Sequence, residues 1–337
     1  MSFSALRDRL PVLPPGGDAP STAWPRIGRG GASFSDDLEI PGGRRLGVRV
    51  RITDRDDGGY CIDLRDSDEP DAAGRFGLSR QRALVASLLA LGHALGEAPG
   101  LAWSERVQLL TDPNTWVGSD EADRDPAAIA FGMARTFDAV LGALANAWPG
   151  RVGAGSCSLG AIVELRARDQ HGGSDGELLL TEVLPGGEGG RPDRPGASAW
   201  AGPVLASTFD RMIAIEGLTL EGTLRESSGG MGKQPGGDGV VRRYLVQRPL
   251  IAQLAFDRVR NPPHGIDRAG PPAGTEVWLH EPGAERPRAV PPWTSVEPAV
   301  GATLEVLTCG GAGWGFPGYG EIEWDPSEWF GSQKKES

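Results

Sequence analysis

The four histidines and three cysteines are the side chains of this sequence best suited to acid–base, nucleophilic or metal chemistry. None of the histidines has a second histidine or a carboxylate at a spacing typical of a local metal site, and the cysteines form no CxxC pair. These residues are His93, His171, His264, His280, Cys61, Cys157 and Cys309. We therefore predict no metal site within this chain.

Each of these side chains also has a structural interpretation. His264 lies between a Pro-Pro pair and a glycine, so it is either a polar group on a functional loop or a plain turn residue. His93 falls within a predicted helix and is interpreted as part of a packed face. Cys157 lies in a Ser-Cys-Ser turn that lacks the GxSxG elbow, which favours a small buried residue over a nucleophile.

The run SSGGMGKQPGGDGVVRR, residues 227–243, looks at first like a phosphate-binding loop. It fails the Walker pattern because Ser227 replaces the first glycine and Gln234 follows the lysine. The dinucleotide pattern also fails, at Pro235, and strand-like residues follow instead of a helix. We predict a multi-turn connection whose glycines adopt positive φ or admit the backbone of another subunit. Lys233 and Arg242 then either touch an anionic intermediate or are surface charges.

Composition narrows the classes of partner. The net charge of −11 and a pI near 5.0 argue against nucleic acid and against an anionic membrane surface. The 51 glycines and 28 prolines recur between short apolar runs, which indicates many turns. Sparse cysteines fit a reducing compartment, and no apolar run reaches the length of a membrane span. We predict a cytoplasmic protein.

Hydrophobic periodicity predicts an α+β fold that is rich in strands. Two helices are expected at about 79–96 and 126–148, the second capped by Asp125 with Pro126 in its first turn. Alternation predicts a hairpin over 46–64 and further strands, the last of them in an all-β stretch from 240 to 309. The 185–196 segment is a long loop or a mobile lid. We expect a leader (1–30), an α+β central region (31–225), a β-rich C-terminal region (226–325) and a frayed tail (326–337).

Three ordered blocks resemble the hydantoinase B/5-oxoprolinase family. The glycine run resembles that family's glycine signature, LAFDRVRNPPHGI its Asp-Arg…Pro-Pro-x-Gly loop, and TCGGAGWGFP its late glycine turn. The matching signature residues are Ser228, Gly229, Gly230, Gly232, Gly236, Gly237, Gly239 and Arg242. The matching loop residues are Asp257, Arg258, Pro262, Pro263 and Gly265, with His264 among them.

The resemblance implies a subunit of an ATP-dependent complex. Such a complex opens a cyclic amide or carboxylates a ketone, together with a hydantoinase A-like subunit that binds ATP. The catalytic candidates are Asp257, Arg258 and His264, and the signature glycines with Arg242 form a substrate or interface loop. ATP, Mg²⁺ and a divalent metal are expected on partner chains, with no cofactor in this one.

Two departures from the family pattern favour an alternative. The resemblance begins in the middle of the family's subunit, so a separate chain would supply the other half. GPVLASTFDRMIAIEG, residues 202–217, stands where the family has a Gly-x-His-Thr-His segment. The alternative is a scaffold or regulatory paralogue that keeps only the fold and its assembly surface.

Overall fold

The computed structural model describes residues 10, 13, 23–71, 74–119, 125–168, 176–202, 215 and 217–317. Within these residues the helices are α1 (Arg80–Leu95) and α2 (Pro126–Ala147). The strands are β1 (Ala32–Ile40), β2 (Arg44–Asp54), β3 (Tyr60–Asp63), β4 (Val107–Leu110), β5 (Ala161–Ala167), β6 (Leu178–Leu184), β7 (Leu218–Leu224), β8 (Val240–Val246), β9 (Leu250–Phe256), β10 (Glu276–His280), β11 (Arg288–Ala289), β12 (Thr294–Val296) and β13 (Thr303–Leu307). The predicted α+β class is confirmed.

Both predicted helices are confirmed, and their ends are set by capping residues. The Ser79 hydroxyl accepts a hydrogen bond from the third residue of α1, and Gly96 closes that helix at φ 73°. The Asp125 carboxylate accepts from the backbone N–H groups of Ala127 and Ala128, and Pro126 occupies the first turn of α2.

Helix α2 is the central element of the first hydrophobic core. By length and composition it could cross a membrane, but its whole apolar window is buried inside the fold. It packs on β1, β2 and α1, and Gly142 lets the ring of Phe34 lie directly against the helix backbone. The position of α2 in the core therefore explains its apolar composition.

The first sheet has the order β1-β2-β3-β4, and its β3–β4 pair is parallel. The predicted hairpin is confirmed, with Ile52 opposite Ile62 across β2 and β3. Strand β1 was not predicted because its Ser-Asp-Asp sequence resembles a turn. Its acidic side chains are nevertheless needed inside the fold, as described below.

The other two sheets, β12-β9-β5-β6 and β11-β10-β13-β8-β7, form a sandwich. Their facing side chains build the second hydrophobic core, with Val163 and Leu254 from one sheet and Tyr244 and Val306 from the other. The outer face of the β5–β9 sheet joins the first core through residues such as Ile162. Strand β9 is consequently buried along its entire length.

The ends of the chain are described only in part. Trp24 and Ile27, near the end of the predicted leader, are buried, and Trp24 stacks on Tyr60 with ring centroids 4.9 Å apart. This part of the leader is therefore held against the first sheet. Most of 1–22 and the predicted tail at 326–337 lie outside the described residues.

Candidate functional site

The glycine signature lies inside a bundle of extended backbone segments, here called the glycine core: residues 153–157, 186–190, 228–239 and 310–313. Backbone hydrogen bonds link the segments directly. The Gly230 N–H donates to the carbonyl of Gly311 at 2.8 Å, and the Gly311 N–H donates to that of Gly237 at 2.9 Å. The Gly237 N–H donates in turn to the Glu188 carbonyl at 2.8 Å. The signature and the late glycine turn thus meet directly, and the Asp-Arg loop joins them where the Ile266 N–H donates to the Gly313 carbonyl at 3.2 Å.

The expectation that the signature glycines adopt positive φ is wrong. None of the six lies in that region; the residue that does is Ser227, at φ 61°. The glycines are required because the segments lie so close together. A Cβ on Gly236 would overlap the carbonyl oxygen of Gly311, and one on Gly230 would overlap that of Gly270. The approaching backbone belongs to the same chain.

Arg242 is not a surface charge. It is 2% exposed, and its Nε donates to the Glu182 carboxylate at 3.0 Å within the sandwich core. Tyr244 donates its hydroxyl to the same carboxylate at 2.6 Å. The triad joins β8 to β6, and thereby one sheet to the other. Lys233, by contrast, is exposed, as the surface interpretation predicts.

Asp257 and Arg258 belong to a buried charged cluster with Asp36 of β1 and with Arg135 and Asp138 of α2. Arg258 donates to both oxygens of Asp36, at 2.8 and 2.6 Å, and to Asp138 at 3.1 Å. Arg135 lies at ion-pair distance from all three carboxylates: 3.3 Å from Asp36, 2.8 Å from Asp138 and 3.2 Å from Asp257. Asp257 is fully buried and Arg258 is 3% exposed. Both predicted catalytic residues are thus enclosed.

The charged cluster holds three carboxyl groups against two guanidinium groups. One oxygen of Asp138 accepts hydrogen bonds from Arg258 and Ser158 and also lies at ion-pair distance, 2.8 Å, from Arg135. Neither oxygen of Asp257 has a hydrogen-bond partner among the described residues. Burial raises the pKa of Asp257 to about 7, against the attraction of Arg135. Burial also raises the pKa of Asp36 and of Asp138, but both of these accept hydrogen bonds from Arg258, so we assign the excess proton of the cluster to Asp257.

His264 is the predicted site residue with an accessible side chain. Its ring packs on Phe34 with centroids 4.3 Å apart, and its backbone carbonyl accepts from the Gly155 N–H of the glycine core. Together with Asp138 and Ser156 it lines a cavity of about 10 Å³, the volume that one water molecule needs. Burial lowers the pKa of His264, so the neutral imidazole can accept a proton at neutral pH.

A second polar site, the His93 cleft, was not predicted. It has a volume of about 610 Å³ and is lined by residues that include His93, Glu188, Arg191, Arg194 and Trp200. The His93 ring packs against both Phe137 and Trp200, which also contact each other, and its Nε2 is 3.2 Å from the Arg191 guanidinium. Burial lowers the pKa of His93 to about 4, so the ring accepts this hydrogen bond in its neutral form.

The acidic member of the His93 cleft belongs to the glycine core. Arg194 donates to both oxygens of Glu188, at 2.9 Å each, and the Ala197 N–H donates at 3.0 Å. Residues 185–190 are buried, which favours the long-loop interpretation of 185–196 over a mobile lid, and residues 191–196 are exposed or half-buried. The only sequence signal for this site was two arginines in a Gly/Pro stretch.

The remaining candidates from the sequence are the thiols and a possible metal site. Cys157 is buried, as predicted, and a hydrogen bond with Cys309, followed by burial, raises the pKa of its thiol. Among the described residues, no group of three or more His, Cys, Asp or Glu side chains is arranged to hold a metal ion. His171 lies outside those residues.

Comparisons with known proteins agree with the resemblance. The family model described as hydantoinase B/oxoprolinase matches residues 7–317. A nucleotide-free acetone carboxylase structure has a TM-score of 0.66 at 16% identity, covering 85% of this chain and 45% of that one. An ATP-dependent caprolactamase from Pseudomonas jessenii has a TM-score of 0.64 at 17% identity, covering 85% of this chain and 52% of that one. The chain thus spans about half the length of these structures. No curated protein gives a match.

Proposed function

This chain belongs to the hydantoinase B/oxoprolinase family, and from that premise we propose that it is a subunit of an ATP-dependent enzyme complex. Its partner is a hydantoinase A-like subunit that binds ATP and Mg²⁺. The complex opens a cyclic amide of the hydantoin or oxoproline type, or carboxylates a ketone. The part of the family's subunit that this chain does not span is also included in the proposed complex.

The family match over residues 7–317 is the observation that carries this proposal. The two similar structures are named for ATP-dependent acetone carboxylation and for an ATP-dependent caprolactamase, which agree with an ATP-dependent reaction at a carbonyl group. At 16% and 17% identity the likeness concerns the fold. The substrate and the partner are therefore part of the proposal.

We assign different roles to the predicted site residues. His264 is the proton acceptor, because it is neutral at neutral pH and lines a cavity of the size of a water molecule. Arg258 is a positioning residue, because its hydrogen bonds to Asp36 and Asp138 anchor the loop to β1 and α2, and Asp257 is enclosed beside Arg135, away from the cavity. The carboxylates of the charged cluster are matched to guanidinium groups rather than to a metal, so we place the divalent metal on a partner chain.

One observation favours the alternative, a non-catalytic scaffold. Asp257 and Arg258, which the sequence resemblance singles out, are enclosed and bound to side chains of their own chain. The glycine core is likewise closed by its own backbone contacts. A paralogue that preserves only fold and assembly would need the same contacts.

Native mass spectrometry of the tagged protein, captured gently from its own host, tests the complex. We expect a hydantoinase A-like chain to be captured with it. ADP release by the captured complex would then be measured with hydantoin, 5-oxoproline, caprolactam and acetone. Capture of the chain alone, or only as a homo-oligomer, would remove the complex hypothesis.

A matched pair of variants separates catalysis from scaffolding. His264→Asn should lower substrate-dependent ADP release by about 100-fold or more, the usual loss when an acid–base group is removed. His280→Asn is the control, because His280 is exposed on β10 and 3.4 Å from Glu305. Full activity of the assembled His264→Asn complex would support the scaffold alternative.

A further inference from the structure

A deep cleft separates the β1–β2 turn from the edge of the sandwich. Its volume is about 670 Å³, within the range of small-molecule sites. One wall is the turn at 39–45 and the other is formed by β10 and the 289–292 segment. The His264 cavity and the His93 cleft share no lining residue with it.

The interior of the cleft is apolar. Ile40, Phe256 and Val277 line it and are each 3% exposed or less. Trp278 and Val290 extend the same surface from β10 and from the residue after β11. A flat aromatic ring or a short alkyl chain would therefore be removed from water here, which favours binding in proportion to the apolar area covered.

Around this apolar interior, the described charged side chains that have no partner of opposite charge are arginines. Arg44 and Arg260 line the cleft, and among the described residues neither has an acidic side chain at ion-pair distance. The carboxylate of Glu39 is already bound by the backbone N–H groups of residues 259–261, at 2.7 to 2.9 Å. Glu276 is held by Arg225 at 2.6 Å and by the Trp278 ring N–H at 3.2 Å.

A buried hydroxyl in the wall also lacks a partner. Thr275 is fully buried, lines the cleft, and has no hydrogen-bond partner for its Oγ1 among the described residues. Leaving such a group unsatisfied costs free energy, and nearly all buried hydroxyls are paired. The Oγ1 atom is enclosed by the wall itself, so Thr275 shapes the cleft without offering a hydrogen bond to a ligand in it.

We propose that this cleft binds a small apolar acid: an aromatic or short aliphatic body in the interior, with a carboxylate or phosphate between Arg44 and Arg260. Guanidinium groups bind carboxylates and phosphates alike through paired N–H donors, so either anionic head group fits between the two arginines. The proposal is independent of the ATP-dependent complex, because every residue that it uses lies in this chain.

The test is isothermal titration calorimetry of the full chain with 4-phenylbutyrate, octanoate and octyl phosphate, together with the fluorescence of Trp278. At least one of the three acids should bind with a Kd below about 1 mM, and the neutral 4-phenylbutanamide should bind about tenfold or more weakly than 4-phenylbutyrate. Arg260→Gln and Arg44→Gln should each weaken binding of the acid about tenfold. The matched control is Arg29→Gln, an exposed arginine outside the cleft.

Two further variants test the interior. Ala289→Phe narrows the cleft from exposed β11 and should abolish binding, whereas Ala284→Phe, on an exposed turn outside it, should not. Thr275→Val keeps the shape of the wall and should leave the binding of the acid unchanged. The proposal is overturned if none of the three acids binds at about 10 mM. It is also overturned if the amide binds equally well, or if Ala289→Phe binds like the natural chain.

Discussion

At the scale of single residues, the charged cluster shows how one loop is held by charges from distant parts of the chain. Arg258 binds Asp36, which precedes it by 222 residues. Removing one partner of a buried ion pair leaves the other charge without compensation, and this is usually costlier than the pair itself is stabilising. We therefore expect the loss of different carboxylates of the cluster to reduce the stability of the protein by different amounts.

Asp36→Asn should destabilise the protein by about 3 to 5 kcal/mol, because Arg258 and Arg135 would both lose a charged acceptor. Asp257→Asn is the matched substitution and should cost less than about 1 kcal/mol near pH 6, since this carboxyl group is already protonated there. Urea unfolding monitored by tryptophan fluorescence measures both values. Equal losses for the two variants would contradict the assignment of the proton to Asp257.

The raised pKa of Asp257 also predicts how stability depends on pH. The folded pKa is about 7 and the ordinary value is 3.8, so between these values the folded state binds more protons than the unfolded state. The contribution of Asp257 to stability therefore falls as pH rises from about 4 to 7, and is constant above that range. Asp257→Asn should remove this decline from a series of unfolding curves across the window. A decline that persists unchanged in the variant would place the proton elsewhere.

At the scale of elements, the glycine core is a case of backbone packing rather than of turn geometry. Gly236→Ala should destabilise the protein by about 3 kcal/mol or more, because the new methyl group would overlap a carbonyl oxygen of the 310–313 segment. Gly270→Ala is the control, since a Cβ there would have its nearest neighbour at 3.6 Å and φ is not positive. Thermal unfolding measures the stability of both variants. Equal losses would show that close backbone packing is not what requires glycine at position 236.

The buried ion pair of Arg242 with Glu182, which links the two sheets of the sandwich, can be tested in the same way. Arg242→Met should destabilise the protein by about 3 to 5 kcal/mol, since Glu182 would stay buried without its partner. Changing Glu182→Leu in the same chain should recover much of that loss. Arg243→Met, at the exposed neighbouring position bound to Glu305, should cost less than about 1 kcal/mol. Chemical denaturation of the three variants measures these losses, and no recovery in the double variant would contradict the argument.

At the scale of the whole molecule, the predicted central and C-terminal regions share a sheet. Strand β5 of the central region pairs along its length with β9 of the C-terminal region, from Ala161 opposite Phe256 to Ala167 opposite Leu250. The Trp293 ring N–H also donates to the backbone carbonyl of Glu39 at 2.8 Å. Separating the regions would expose an unpaired strand edge and the apolar faces of both cores.

A fragment of residues 226–317 should therefore not fold alone, whereas adding a fragment of residues 31–225 should restore structure. Circular dichroism and the dispersion of an amide NMR spectrum would report both results. The complete chain should show coincident unfolding by far-UV circular dichroism and by tryptophan fluorescence, because the cores are continuous. A well-dispersed spectrum from the isolated C-terminal fragment would show two independent domains.

The sequence by itself determined the local features of this protein. Capping residues and apolar periodicity located both helices, alternation located the β2–β3 hairpin and most sandwich strands, and the glycine signature identified the family. These signals succeed because capping, periodicity and turn chemistry act between residues close together in the chain.

Only the tertiary structure decided which residues meet. It made a strand of Ser-Asp-Asp in β1, because arginines from α2 and from the turn after β9 neutralise the buried Asp36. It enclosed Asp257, Arg258 and Arg242, and it assembled the His93 cleft from α1 and a Gly/Pro loop. Ion pairs and backbone contacts between residues far apart in the chain produce no periodic pattern in the sequence. Which residues pair is therefore decided only when the sheets and helices pack together.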